Sequence, residues 1–182
     1  RLEEACAATL KRTSMELGGN APFIVFDDAD IDAAVQGALI SKYRNSGQTC
    51  VCTNRIFLQD SIHDVFVEKL VAATAELKMG NGLDEGVQQG PLVNEKAVED
   101  VDRLVRLSTD AGAQVALGGA RSDLGPCYYQ PTVLTGVTSD MAVFRNEIFG
   151  PVAPVMSFAD EAEAIALAND TEFGLASYFY TR

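Results

Sequence analysis

Two hydrophobic periods alternate along this chain, and that alternation restricts the fold more than any single motif does. Residues 23–26 (Phe-Ile-Val-Phe) follow Pro22 as an apolar run too short for a helix, and read as a buried strand. Asp27-Asp28-Ala29-Asp30 then gives a turn and acids suited to a helix N-terminus. Ile31, Ala34, Val35, Ala38, Leu39 and Tyr43 recur at helical spacing, so a helix is expected over about 30–45, broken by Asn45-Ser46-Gly47. Residues 55–59 read as a strand. A second helix is expected from Ser61, with Ile62, Val65, Phe66, Leu70, Ala73 and Leu77 on one side. Glycines and Pro91 mark 79–94 as loop. A third helix is expected over 95–111, with Val98, Val101, Leu104, Val105 and Ser108 in register and Gly112 as its stop. Further strands are expected at 114–117, 129–134, 152–158 and 176–180, with a short helix at 160–168. Helices interleaved with strands predict an α/β fold three layers deep with a mostly parallel sheet. The shortest apolar strands are expected at its centre, covered on both faces. With no repeat and no interior linker, residues 1–182 read as one domain.

The 182 residues are 47% hydrophobic and 22% charged, which excludes a disordered or collagen-like chain. The net charge of −12 argues against sequence-independent nucleic-acid binding, which needs clustered cations. No run of 18 apolar residues is present, so no membrane span is expected. Cys6, Cys50, Cys52 and Cys127 are irregularly spaced and form no disulfide framework; a reducing compartment, the cytoplasm, is expected. Arg1 in place of Met, and an end just after the strand-like residues 176–180, suggest a piece of a longer polypeptide.

Dinucleotide G-x-G-x-x-G, phosphate-loop and G-x-S-x-G motifs are all missing. Asp28, Asp30 and Asp32 imitate half a calcium loop, but Ala33 and Leu39 stand where Gly and Glu are required, so helix capping is the better reading. His63, the one histidine, reads as a first-turn surface residue, and no metal site is expected. Three segments hold chemistry. Cys50 and Cys52 follow a glycine-broken helix end before a strand, where a thiol can face a cleft and backbone N–H groups can hold a thiolate or oxyanion; both also read as small buried apolar residues. Glu16-Leu17-Gly18-Gly19 sets a carboxyl beside glycines that permit close backbone approach; it is a possible general base or an exposed acid in a turn. Glu147-Ile148-Phe149-Gly150-Pro151 offers an acid to accept from ligand hydroxyls and a ring to cover a flat heterocycle, or a plain entry into a strand.

In this order the segments resemble the aldehyde dehydrogenase superfamily: Glu16-Leu17-Gly18-Gly19 its general-base motif, Gly47-Gln48-Thr49-Cys50 its nucleophile motif, and Glu147–Pro151 its cofactor-ribose motif. The likeness runs along the whole chain, including Gly90-Pro91-Leu92 and Asn169–Leu175. It is most like the succinate-semialdehyde branch over Glu16–Asp30 and Arg44–Cys52, where the second cysteine is the telling detail; the glutarate-semialdehyde branch is similar. The resemblance implies the family's catalytic-domain fold, with the nucleotide-binding part mostly upstream and oligomerisation contacts downstream. It implies Cys50 as nucleophile and Glu16 as activator of water. Glu147, Phe149 and the Leu17 backbone would hold the nicotinamide end of NAD or NADP, and Arg44 would grip the far carboxylate of a semialdehyde. Cys52 would be a redox partner that silences Cys50. The full-length parent would be a homo-oligomer, dimer or tetramer, and these residues alone would turn over little aldehyde. Two other classes stay open: a cofactor-independent cysteine hydrolase or acyl-transfer enzyme, and a non-catalytic protein on this scaffold.

Overall fold

Side-chain caps set where three of the four longest helices begin. Asp30, Asn94 and Asp160 each accept a hydrogen bond from the backbone N–H three residues on, at 3.1, 2.9 and 3.0 Å. A computed structural model describes residues 1–182, and its elements follow in order. They are α1 (Leu2–Ala7), β1 (Ala21–Val25), α2 (Ile31–Tyr43), β2 (Thr53–Gln59), α3 (His63–Ala75), α4 (Glu95–Asp110), β3 (Gln114–Leu117), β4 (Thr132–Thr135), α5 (Ala142–Arg145), β5 (Val152–Phe158), α6 (Glu161–Asn169) and β6 (Tyr178–Tyr180). At the end of α4, Gly112 takes φ +113° while its N–H donates to Thr109 C=O and that of Ala113 to Ser108 C=O, the paired closure of a glycine-stopped helix.

The six strands form one sheet in the order β3-β4-β5-β2-β1-β6, parallel except for the β3–β4 pair. Successive residues alternate between its two faces. Phe23, Ile56, Leu58, Val133 and Val155 pack with Ala34, Val35 and Ala38 of α2 and Phe66 and Leu70 of α3. On the other face Phe57, Leu134, Met156 and Phe158 pack with α4, α5 and Ala164 of α6. This gives the expected α/β/α layering.

Several expectations are corrected. β2 and β5, seven residues each, are central and the longest, whereas β3 and β6, with four and three, lie at the edges. A central strand pairs along both sides, and short edges limit stray pairing. α3 begins at His63 after a 3-10 turn (Asp60–Ile62) and ends at Ala75, so Leu77 lies past it and Val65 is exposed. β4 begins only at Thr132, because Pro131 has no N–H to pair; Thr132 N–H donates to Pro151 C=O at 2.8 Å. No helix is long and apolar enough to cross a membrane.

Candidate active site

β5, β2 and β1 are parallel neighbours, so the loops that enter them lie side by side at one edge of the sheet. Those loops hold Glu147–Gly150, Cys50 and Gly18-Gly19. Ligands of open α/β sheets usually sit at the carboxyl edge; here the chemistry-bearing segments gather at the amino edge.

Cys50 is delivered by a left-handed turn. Asn45, Ser46 and Gly47 take φ of 50°, 54° and 75°, which ends α2 and redirects the chain towards β2. Residues 89–93 brace this turn. Ser46 Oγ donates to Gly90 C=O at 3.0 Å, Gln89 Nε2 to Tyr43 C=O at 2.7 Å, and Val93 N–H to Gln48 Oε1 at 2.8 Å. A Cβ on Gly47 would collide with Gly150 C=O, so the turn packs backbone to backbone on the entry to β5. Cys50 itself is half-buried.

Gly18-Gly19 joins the other two segments. A side chain at Gly19 would overlap Cys50 C=O, and a Cβ at Gly18 would lie 2.8 Å from Glu147 Oε2. Gly19 N–H donates to Glu147 Oε1 at 3.0 Å. One carboxylate oxygen is thus fixed by the backbone, which leaves the other to accept from a ligand. Glu147 and Phe149 line a cavity of about 350 Å³ with Asp100, Arg103 and Leu104. Phe149 adopts φ 52°, a strained conformation for a bulky side chain, and the residue stays 42% exposed. Leu17, 63% exposed, lines a neighbouring cavity of about 440 Å³ with Gly18, Phe173 and Leu175. Glu147 lines one cavity and Gly18 the other, and the two residues meet, so an acceptor oxygen, an aromatic ring and backbone groups are offered from adjoining segments.

The remaining candidates are Glu16, Arg44 and Cys52. Glu16, two residues before Gly18, is exposed in a segment without regular secondary structure. Arg44 is exposed and lines a separate cavity of about 260 Å³ with Leu39, Tyr43, Leu77 and Gln89, not the two beside Glu147. Cys52 is 5% exposed; its thiol donates to Arg44 C=O at 3.8 Å, and both it and Cys50 are free thiols.

A family model described as the aldehyde dehydrogenase family matches residues 1–182. The chain belongs to the aldehyde dehydrogenase family. It is 57% identical over 182 residues to a glutarate-semialdehyde dehydrogenase of Pseudomonas aeruginosa, covering 100% of the chain and 38% of that relative. It is 54% identical over 182 residues to the NADP(+)-type succinate-semialdehyde dehydrogenase GabD of Escherichia coli, with the same 100% and 38% coverage. The crystal structure of succinate-semialdehyde dehydrogenase from Burkholderia pseudomallei superimposes with a TM-score of 0.96 at 55% identity, again over 100% of this chain and 38% of that one. The chain therefore spans 38% of the length of each of these three proteins.

One feature of this aldehyde dehydrogenase chain escapes sequence reading. Lys42, on the last turn of α2, is only 1% exposed. Burial lowers its pKa to about 8, and its coulombic interactions with Cys52 and Glu147 oppose that shift. The signal was available: 35, 38 and 42 continue the apolar stripe of α2, so a lysine at 42 points inward.

Proposed function

We propose that these residues form the catalytic domain of a longer NAD(P)-dependent aldehyde dehydrogenase acting on succinate semialdehyde. The observation that carries this reading is the convergence of the Cys50 turn, Gly18-Gly19 and Glu147 at the amino edge of the sheet. A cysteine hydrolase has no use for a carboxylate anchored by Gly19 N–H beside a strained, outward-facing phenylalanine. Nor does an inert scaffold need glycines at 18, 19 and 47 to press a thiol-bearing turn against it.

In this reading the Cys50 thiolate attacks the aldehyde carbon and forms a thiohemiacetal. The negative charge on its oxygen is held by backbone N–H at Cys50. Glu147, Phe149 and the Leu17 backbone would hold the nicotinamide end of NAD or NADP, with Glu147 as acceptor for its ribose hydroxyls. When bound, that dinucleotide supplies the hydride acceptor by which the adduct becomes a thioester. Glu16 takes a proton from water, and the water oxygen attacks the thioester carbon. The C–S bond breaks, the acid leaves and the thiolate returns. Arg44 grips the far carboxylate with two parallel N–H donors. Arg44 and Glu16 belong to exposed segments, and the rest of the polypeptide completes their surroundings. Glutarate semialdehyde is the second reading, favoured by the 57% identity to a glutarate-semialdehyde dehydrogenase. We further propose a cytoplasmic homo-oligomer for the full-length polypeptide.

The test is steady-state kinetics of the full-length polypeptide with succinate and glutarate semialdehydes, each with NAD and NADP. Oxidation of one semialdehyde at least tenfold faster by kcat/KM than of acetaldehyde is expected, with activity lost in Cys50→Ala. Ester hydrolysis without dinucleotide, in the absence of semialdehyde oxidation, sinks the assignment.

A further inference from the structure

The peptide units on both sides of Glu147 are held by one side chain that the mechanism above does not use. Asn54, 4% exposed on β2, donates from Nδ2 to Asn146 C=O at 2.8 Å and accepts at Oδ1 from Ile148 N–H at 3.1 Å. Its amide thus pairs with the residue before Glu147 and the residue after it. The second Nδ2 hydrogen goes to Asn20 Oδ1 at 2.6 Å.

Asn20, 3% exposed, follows Gly19, whose N–H holds Glu147 Oε1. Its own Nδ2 donates to Phe144 C=O at 3.0 Å and Thr171 Oγ1 at 3.2 Å. Its C=O accepts from Arg55 Nε and Nη2 at 3.1 and 2.9 Å. Arg55, fully buried, also donates to Leu167 and Ala168 C=O at the end of α6, both at 2.9 Å. Every amide hydrogen of Asn54 meets an acceptor, and its oxygen meets a donor. Rotating the amide by half a turn would set donor against donor at Ile148 and acceptor against acceptor at Asn146. The orientation is therefore unique, and it rests on the sheet rather than on a loop.

Glu147 is gripped at two places: at its flanking peptides by Asn54, and at its carboxylate by Gly19 N–H. Asn20 joins the two. We propose that Asn54 is a positioning residue for Glu147, fixing the backbone from which the carboxylate reaches a nicotinamide ribose. The inference rests on the proposed ribose role of Glu147. A chain anchored only at Gly19 N–H would let the 146–148 peptides swing, and the free Oε2 with them.

A double-mutant cycle on the full-length polypeptide separates positioning from general stability. Asn54→Ala, Glu147→Ala and the double variant are titrated with NAD and NADP by isothermal titration calorimetry, and each is checked for folding by its thermal melt. Asn54→Ala is expected to weaken dinucleotide binding about tenfold, and Glu147→Ala by about tenfold or more. In the Glu147→Ala background the Asn54 substitution is expected to add less than about twofold, since nothing is left to position. Equal affinity of Asn54→Ala and the unaltered enzyme overturns the proposal and leaves the ribose role of Glu147 standing. So does a double variant weakened by the product of the two single effects, as a merely structural Asn54 would give. Unchanged binding in Glu147→Ala removes the ribose reading itself and this inference with it. If Asn54→Ala fails to fold, Asn54→Ser enters the same cycle, with room for water at the vacated positions, and the same outcomes decide.

Discussion

Replacing Lys42 by Met should stabilise the folded chain at neutral pH. Burial holds the ammonium pKa at about 8, against an ordinary 10.5. At about 1.4 kcal/mol for each tenfold change in proton affinity, folding with this lysine charged costs about 3 kcal/mol. Methionine has a similar length, no charge and enough flexibility to fill the vacated space. The sign follows from proton counts. The folded pKa lies below the unfolded one, so between pH 8 and 10.5 the unfolded chain binds more protons and stability rises with pH. Below pH 8 the lysine is charged in both states and the full penalty applies; above 10.5 it is neutral in both and the penalty is gone. Lys42→Met should therefore exceed the unaltered chain by about 3 kcal/mol at pH 7, by about 2 at pH 9, and by almost nothing near pH 11. Urea unfolding of both proteins at pH 7, 8, 9 and 10, with slopes compared at each pH, reads this directly. A difference that stays constant over that range, or a variant less stable at pH 7, would refute the reasoning, because either outcome means Lys42 is not a desolvated cation.

Gly19→Ala should lower stability by more than about 3 kcal/mol, since its Cβ meets Cys50 C=O, while Gly112→Ala, at φ +113° in open space, should lose only about 1; the urea midpoints compare the two. Arg44→Ala in the full-length polypeptide should raise KM for the semialdehyde about a hundredfold with kcat within about threefold, the mark of lost carboxylate binding; unchanged KM removes Arg44 from the substrate site. Peroxide should block Cys50 alkylation reversibly by thiol, through a bond to Cys52, and Cys52→Ser should abolish the thiol-reversible protection; equal protection in that variant sinks the switch. Bending is needed for this bond, because the Cys52 thiol now faces Arg44 C=O.

Long periodic segments were legible, and contacts between distant segments were not. α2 and α4 follow from their apolar spacing, and Asp30, Asp160 and Gly112 mark ends by local chemistry that sequence displays. α1 and α5, with six and four residues, offer too few turns for a period to register. Val65 fits an apolar stripe by its spacing from Ile62, yet the buried face of α3 runs through Ile62, Phe66, Leu70 and Thr74 and leaves Val65 exposed. The motif residues Cys50, Glu16 and Glu147 stood out by resemblance. Asn54 did not, because an asparagine in a strand advertises nothing until its partners 92 and 94 positions away are known.

The site and the core depend on the same register. β1 pairs with β2 so that Phe23 lies opposite Ile56 and Val25 opposite Leu58, all four buried against α2 and α3. Sliding one strand by a single residue would turn these side chains to the other face and bring Ile24 and Phe57 in their place, so packing forbids the slip. That pairing fixes where each chain enters the sheet. It sets the backbone of Gly19 against Cys50, and β2 against β5 likewise brings Asn54 to the peptides around Glu147. The hydrophobic alternation read first from the sequence is therefore also what aligns the candidate nucleophile with the candidate cofactor ligand. A core substitution that loosens the β2–β5 register, such as Val155→Ala, should disturb dinucleotide binding before it unfolds the chain, measurable as a rise in dinucleotide Kd at temperatures below the melt. If Kd stays constant up to the melting transition, core register and site geometry are independent and this link fails.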